Sequence, residues 1–300
     1  MAKELGRSLA DYGRGCVGGL LFSLPLLYTM EVWWAGFLAG PGRLLAALGG
    51  TFVLLLGYNH VAGMRRDHHF PAIVGEAIEE LGLGLLLAAL VLWLTGRVNS
   101  DMGFQEVLGK VVVEAAVVAI GVSVGKAQLG AGGSRRAHGG GGAEDGDPQG
   151  DDEQGGDGDD EQGDDDEPQS FAGQLVMAAC GALLIAGNVA PTEEVRVIAA
   201  ETDPLKILAL LALSVAVTAA VLYQADFRGA ERSVGRDVGA ADMVAGTVSM
   251  YGVGLAVSAV LLWFFGRFAG TALAVDVGQT VVLAFPAALG ASAGRLLLQE

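Results

Sequence analysis

The sequence is poor in the residues from which most soluble enzymes and metal sites are built. Its 300 residues include only 2 cysteines, 4 histidines and 18 lysines and arginines. Two cysteines make no disulfide framework, and Cys16 and Cys180 each stand at the start of an apolar segment with no CxxC or Cys/His spacing for zinc. They read as packing residues. A bridge between them stays open from the sequence, although the orientation argued below puts both near the cytoplasmic face, where reducing conditions disfavour one. There is no GxSxG elbow, no Walker loop and no GxGxxG after a strand. The chain is therefore not read as an enzyme, and no cofactor and no metal site are expected. So few basic residues also leave no groove for a phosphate backbone, which excludes nucleic acid as a partner.

Apolar residues and glycine are what the chain has in excess. AVILMFWYC make up 52% of it, with 47 glycines and a mean hydropathy of +0.48, too apolar for an ordinary soluble domain. The net charge of −16 misleads, because 14 of the 34 acids lie between Glu144 and Glu167, a stretch with no Lys or Arg. Outside it, 20 acids face 18 bases. The body of the protein is nearly neutral, as a membrane domain should be.

A helix needs about 20 residues to cross about 30 Å of hydrocarbon. Runs of that kind predict about eight spans, at residues 17–38, 42–60, 72–96, 104–127, 171–191, 204–224, 242–266 and 272–295. The first is too long for a secretory signal and has no convincing cleavage site, so it is read as a retained span. Residues 1–16 form the N-terminus, 17–129 a first set of four helices, 130–169 a linker and 170–300 a second set of four. The linker, GAGGSRRAHGGGG followed by an Asp/Gly-rich run, has little to bury and is expected to be disordered. A calcium-binding reading of its aspartates lacks the spaced ligand loop with a closing Glu. Twelve Lys and Arg fall on the N-terminal side of these spans and six on the other. By the positive-inside rule this places both termini and the linker in the cytoplasm of a plasma-membrane protein.

The two sets of helices are related in sequence. Leu81 to Arg97 (LGLGLLLAALVLWLTGR) and Tyr251 to Arg267 (YGVGLAVSAVLLWFFGR) share eight of seventeen positions, including Trp93/Trp263 and Arg97/Arg267. Ala119 to Lys126 (AIGVSVGK) matches Ala288 to Arg295 (ALGASAGR), and Thr29/Thr192, Glu31/Glu194, Pro41/Pro204 and Tyr58/Tyr223 match in order and spacing. Four helices per set make these parallel repeats, with an expected pseudo-twofold axis along the membrane normal. Gly121-x-x-x-Gly125 and Gly290-x-x-x-Gly294 form small-residue faces for close helix packing.

Carboxylates within apolar spans need a reason, because each costs about 2.5 to 3.5 kcal/mol on insertion scales. Glu31 is the only charge between Cys16 and Arg43, and its partner is Glu194 of APTEEVRV. With Thr29 and Thr192 two residues earlier, the pair either builds a cation site or proton relay on the repeat axis, or sits solvated in the headgroups beside Trp33 and Trp34. Glu114 lies about ten residues into the fourth span, opposite Leu283, and is a second candidate. Glu76, Glu79 and Glu80 share one face of the third helix near its start. They line a cytoplasmic entrance for cations, or serve the helix N-terminus and its dipole, the reading favoured by the uncharged Gly246, Ser249 and Met250 at the aligned positions. Asn59, His60, Gln224, Asp226, His68 and His69 read as interfacial, without HExxH or comparable metal spacing.

These features, with the GRV and GRF ends of the Trp-bearing helices, resemble a family of prokaryotic integral membrane proteins of uncharacterised function, over all of the chain but the linker. The resemblance implies a multi-pass inner-membrane protein and carries over no catalytic residues. The expectation is an all-α, eight-span protein in a lipid bilayer, conducting a small cation or proton through Glu31 and Glu194, as a monomer or a homo-oligomer. The alternative is a non-transporting scaffold or accessory subunit whose acidic linker binds a basic partner. Deletion of Glu144 to Glu167 is expected to leave folding intact, checked by monodispersity in detergent.

Overall fold

The computed structural model describes residues 2–62, 69–138, 171–230 and 240–296, with side chains placed at 11–62, 69–127, 171–223 and 243–294. His68 and most of the linker, 139–170, lie outside the described residues. All regular structure among the described residues is helical: α1 (Ala2–Leu27), α2 (Met30–Leu38), α3 (Pro41–Ala62), α4 (Phe70–Leu94), α5 (Phe104–His138), α6 (Phe171–Ala186), α7 (Glu193–Glu201), α8 (Pro204–Ala230), α9 (Ala240–Phe264) and α10 (Leu273–Leu296). Helix α5 thus runs on into the glycine-rich opening of the expected linker.

Each set contains five helices where four are expected, because the first span of each is broken. The segment expected to cross at 17–38 is two helices, with Asp11–Leu27 and Met30–Leu38 bent by 87°. Two things end α1. Pro25 has no N–H to donate, and the Asn188 side chain enters the ladder one residue later. The Leu26 N–H, which would bond Phe22 O in an unbroken helix, donates to Asn188 Oδ1 at 3.0 Å, while Asn188 Nδ2 donates to Phe22 O at 3.0 Å and to Leu184 O at 2.6 Å. A side-chain amide thus stands in for a peptide bond. The segment expected at 171–191 likewise ends at Ala186, 16 residues long, and restarts as α7 beyond Pro191.

Among the described residues six helices are long and apolar enough to cross a membrane, or up to seven with the bent pair as one span. Eight is more than this count, and α6, at about 24 Å, is shorter than the hydrocarbon thickness. Exposed leucines and aromatics such as Leu86 and Trp93 on α4, and Leu205 and Leu208 on α8, give the bundle the apolar outer surface of a protein solvated by lipid.

Helix α5 packs against α1, α2, α3 and α4, and α10 against α6, α7, α8 and α9. Of its most apolar stretch, 83% is buried in α5 against 17% in α8, so α5 is the interior element and α8 an outer one. The close approaches pair off between the sets. A Cβ on Gly125 would lie 2.6 Å from Gly18 Cα, one on Gly36 2.8 Å from Lys110 Cα, and one on Gly84 2.9 Å from Ala119 Cα. Gly294 meets Met177 and Gly181, Gly278 meets Ala199, and Gly254 meets Ala288 at the matching positions. Gly121 and Gly290 border the same crossings.

The sets meet through α6, which packs on α3 and touches α5 and α1. Val176, near its start, fills the space beside Gly57 near the end of α3, and Asn188, just past its end, meets the end of α1, so α6 runs in the direction of α1. The contact is not reciprocal. A pseudo-twofold would pair α8 with α1 as α3 pairs with α6, and α8 packs instead on α9 and α10. The expected axis is corrected accordingly.

Gly125→Leu is expected to cost at least about 1 to 3 kcal/mol, as overpacking does. Gly82→Ala, whose Cβ enters open space, should leave stability unchanged; equal thermal midpoints for the two variants in detergent would refute the close-packing account.

Candidate functional site

Thr29 and Thr192 are the N-cap residues of α2 and α7, and Glu31, Glu193 and Glu194 lie in the first turns. There the helix dipole favours negative charge. Neither threonine caps through its side chain; their hydroxyls donate back to the carbonyls of Pro25 at 2.6 Å and Val189 at 2.8 Å. Glu31 is half-buried and Glu194 is exposed. Glu194 is held below the ordinary carboxylate value, chiefly by its own backbone N–H at the helix start. Its neighbour Glu193 is paired with Arg267. Because α2 packs on α5 and α7 on α10, the two glutamates sit on separate interfaces and are not brought together.

Glu114 is fully buried on α5, and neither carboxylate oxygen has a hydrogen-bond partner among the described residues. It lies seven residues, about two turns, before Gly121 and so shares the α5 face turned to α1. Ser123 is nine residues on, two and a half turns, on the opposite face.

It is the third group of candidates that forms a site. Glu76, Glu79 and Glu80 of α4 line a cavity of about 360 Å³, together with Asp11 and Tyr12 of α1, Tyr58 and Asn59 of α3, and Ser123 and Lys126 of α5. The i, i+3, i+4 spacing puts all three acids on one side of α4, and α4 packs on both α3 and α5. Glu80 is the inner wall, 3% exposed. The Asn59 amide donates to Glu80 Oε2 at 2.9 Å, and Ser123 Oγ donates to Asn59 Oδ1 at 3.0 Å. Lys126 Nζ stands 3.6 Å from Glu80 Oε1 and 5.6 Å from the centre of the Tyr12 ring, and the Tyr12 hydroxyl donates to Glu79 at 3.3 Å. Buried carboxylates survive only with such partners. Among the described residues four acids and one lysine line the cavity, and Arg14 pairs with Asp11 at 2.8 Å. The described lining thus holds more acidic than basic side chains.

No group of three or more His, Cys, Asp or Glu that could hold a metal ion occurs among the described residues. Cys16 and Cys180 are both free thiols.

Over residues 11–298 the chain matches the family described as "Putative integral membrane protein (DUF2391)". The chain belongs to that family. It is an integral membrane protein with several apolar helices. No curated protein and no solved structure matches it.

For this family member, reading the sequence placed Asn59 at the interface and passed over Ser123, Lys126, Tyr12 and Tyr58. A signal was available. Glu80 aligns with Met250, which is 1% exposed, so the first set departs from the second in a polar direction at a buried position. Asn59→Ala should cost about 1 to 3 kcal/mol by leaving Glu80 short of a donor. Adding Glu80→Met should recover most of that loss; a double variant as unstable as the single one would refute the coupling.

Proposed function

We propose that the protein moves a proton or a small hydrated cation across the bilayer, with Glu80 rather than the Glu31/Glu194 pair as the carboxylate that takes it up. The observation that carries this reading is the placement of Glu80: a buried carboxylate on the inner wall of a cavity with three further acids at its mouth. Structural carboxylates at helix starts are solvated or paired on the surface, whereas an ionisable group drawn inside a membrane bundle marks an ion or proton path. Glu76 and Glu79 stand at the mouth, on the side of α4 that Glu80 shares. Lys126 holds the negative charge of Glu80 in balance at 3.6 Å, loosely enough to yield to an entering cation. Opposite Lys126 the Asn59–Ser123 pair orients the carboxylate.

The chain is further inferred to be duplicated, with α1 and α6 as short crossings that complete eight and with the Lys/Arg excess facing the cytoplasm. This reading rests on the matched glycine contacts and on the charge distribution. The acidic cavity, near the start of α1 and the end of the α5 span, then opens to the cytoplasm, where Glu76, Glu79 and Glu80 form the expected entrance. Only the first half carries the site, since Met250 stands where Glu80 does.

Sealed proteoliposomes tested with protons, Na⁺, K⁺, Mg²⁺ and Ca²⁺ decide the matter. Flux of one ion is expected, falling by at least about tenfold in Glu80→Gln, the scale of losing one charged hydrogen-bonded group. Glu31→Gln combined with Glu194→Gln should retain most of it. Silence of the native chain across the panel would favour a scaffold; flux lost with the double variant and kept in Glu80→Gln would return the site to the helix starts.

A further inference from the structure

At the end of the bundle away from the acidic cavity, α2, the end of α4 and the start of α5 enclose a second cavity, of about 420 Å³. Its walls are of two kinds. Met30, Trp34 and Phe37 of α2 are apolar and more than half exposed. Arg97, Glu106 and Lys110 supply charge.

The two cations differ in what they are committed to. Lys110 is 8% exposed, and its ammonium donates to Glu106 at 2.7 Å, to the Arg97 carbonyl at 3.3 Å and to the Met102 sulfur at 3.4 Å. Its three protons are spent. Arg97 is exposed, its guanidinium stacked 4.4 Å from the centre of the Trp33 ring, and no carboxylate pairs with it among the described residues. With Glu106 balancing Lys110, the cavity carries one net positive charge, on a guanidinium that is held in place and has its hydrogen-bond donors to spare.

The second set provides an internal comparison. Arg267, which aligns with Arg97, is neutralised by Glu193, and Gln279 replaces Lys110 while keeping the bond to the arginine carbonyl, at 3.4 Å. The same backbone arrangement is thus built with its charge cancelled in one half and left open in the other.

We propose that this cavity binds the headgroup of an anionic phosphodiester lipid, with the phosphate on Arg97 and the glycerol and acyl chains along Trp34, Phe37 and Met30. One negative charge balances the one unpaired positive charge. A planar guanidinium fixed by stacking forks onto two phosphate oxygens. Tryptophan is at home at the depth of the headgroups. The exposed apolar wall selects an amphiphile over a free anion, because an inorganic phosphate would leave Trp34, Phe37 and Met30 uncovered.

The test uses the full chain in neutral detergent with phosphatidylcholine alone or mixed with phosphatidylglycerol, reading retained lipid by native mass spectrometry. Phosphatidylglycerol should be retained about fivefold over phosphatidylcholine, the scale of one basic residue meeting an anionic lipid. Arg97→Gln should remove that preference, and Arg97→Lys should keep part of it. Lys206→Gln, which removes an exposed cation from the start of α8, should leave it unchanged, and the thermal midpoint of each variant checks that it is folded. Equal retention by Arg97→Gln and the native chain, an equal loss in Lys206→Gln, or stabilisation by millimolar inorganic phosphate as great as that by phosphatidylglycerol would each overturn the proposal.

Discussion

The architecture depends on one constraint: inside a bilayer every backbone N–H and C=O must find a partner within the protein. A helix meets this by itself and can be broken only where something else supplies the missing bonds. In α1 the Asn188 amide supplies both, accepting from Leu26 N–H and donating to Phe22 O. The chain can then turn by 87°, and α2 crosses α5 at the Gly36–Gly109 contact instead of running on alongside it. The same side chain joins the second set to the first, so the bend in one and the docking of the other are a single event. Without the turn α2 would not lie over the start of α5, and the aromatic cavity around Arg97 would have no wall.

The second organising fact is that near-identical helix contacts carry different chemistry in the two sets. Glycine contacts recur at matching positions because backbone approach is decided by side-chain volume. Ionisable groups are under a different constraint. Each must be compensated where it lies, so a buried acid persists only in company: Glu80 with Asn59, Ser123 and Lys126 in the first set, Met250 alone in the second. The first set keeps its charges open to a cavity. The second closes them, with Arg267 on Glu193.

Legibility in the sequence followed the same division. Hydropathy located nearly every helix, because the length of an apolar run is a property of the run itself. The broken spans were not legible: Pro25 is visible, but the residue that completes the break is 163 positions away, and an asparagine before a turn carries no local mark of that role. Glu31 and Glu194 stood out because they are isolated charges in apolar surroundings, which is also how the first turn of a short helix looks once its cap is counted as part of the span. Glu80 was discounted because its aligned residue is uncharged. Between matched positions that difference is informative in the opposite sense, since the position that departs toward polarity is the one under a constraint other than packing.

Helix α5 ties these observations together. It is the most enclosed helix, yet it carries Lys110, Glu114 and Ser123 at 8% exposure or less. Lys110 belongs to the aromatic cavity at one end and Ser123 to the acidic cavity at the other, about 20 Å apart along the axis. Glu114 lies between them but on the face turned to α1, away from Ser123 and, when the Gly18–Gly125 register is carried along the antiparallel pair, level with residue 29, just past the end of α1. A straight path down one face of α5 therefore does not join the three. Any route from Glu80 to the far side that uses Glu114 must pass around α5 toward the end of α1, where the backbone is already interrupted and its polar groups are held by Asn188. Among the described residues the break at the end of α1 and the unpartnered carboxylate of Glu114 thus lie near one depth, by the Asn188 contact rather than at the helix starts.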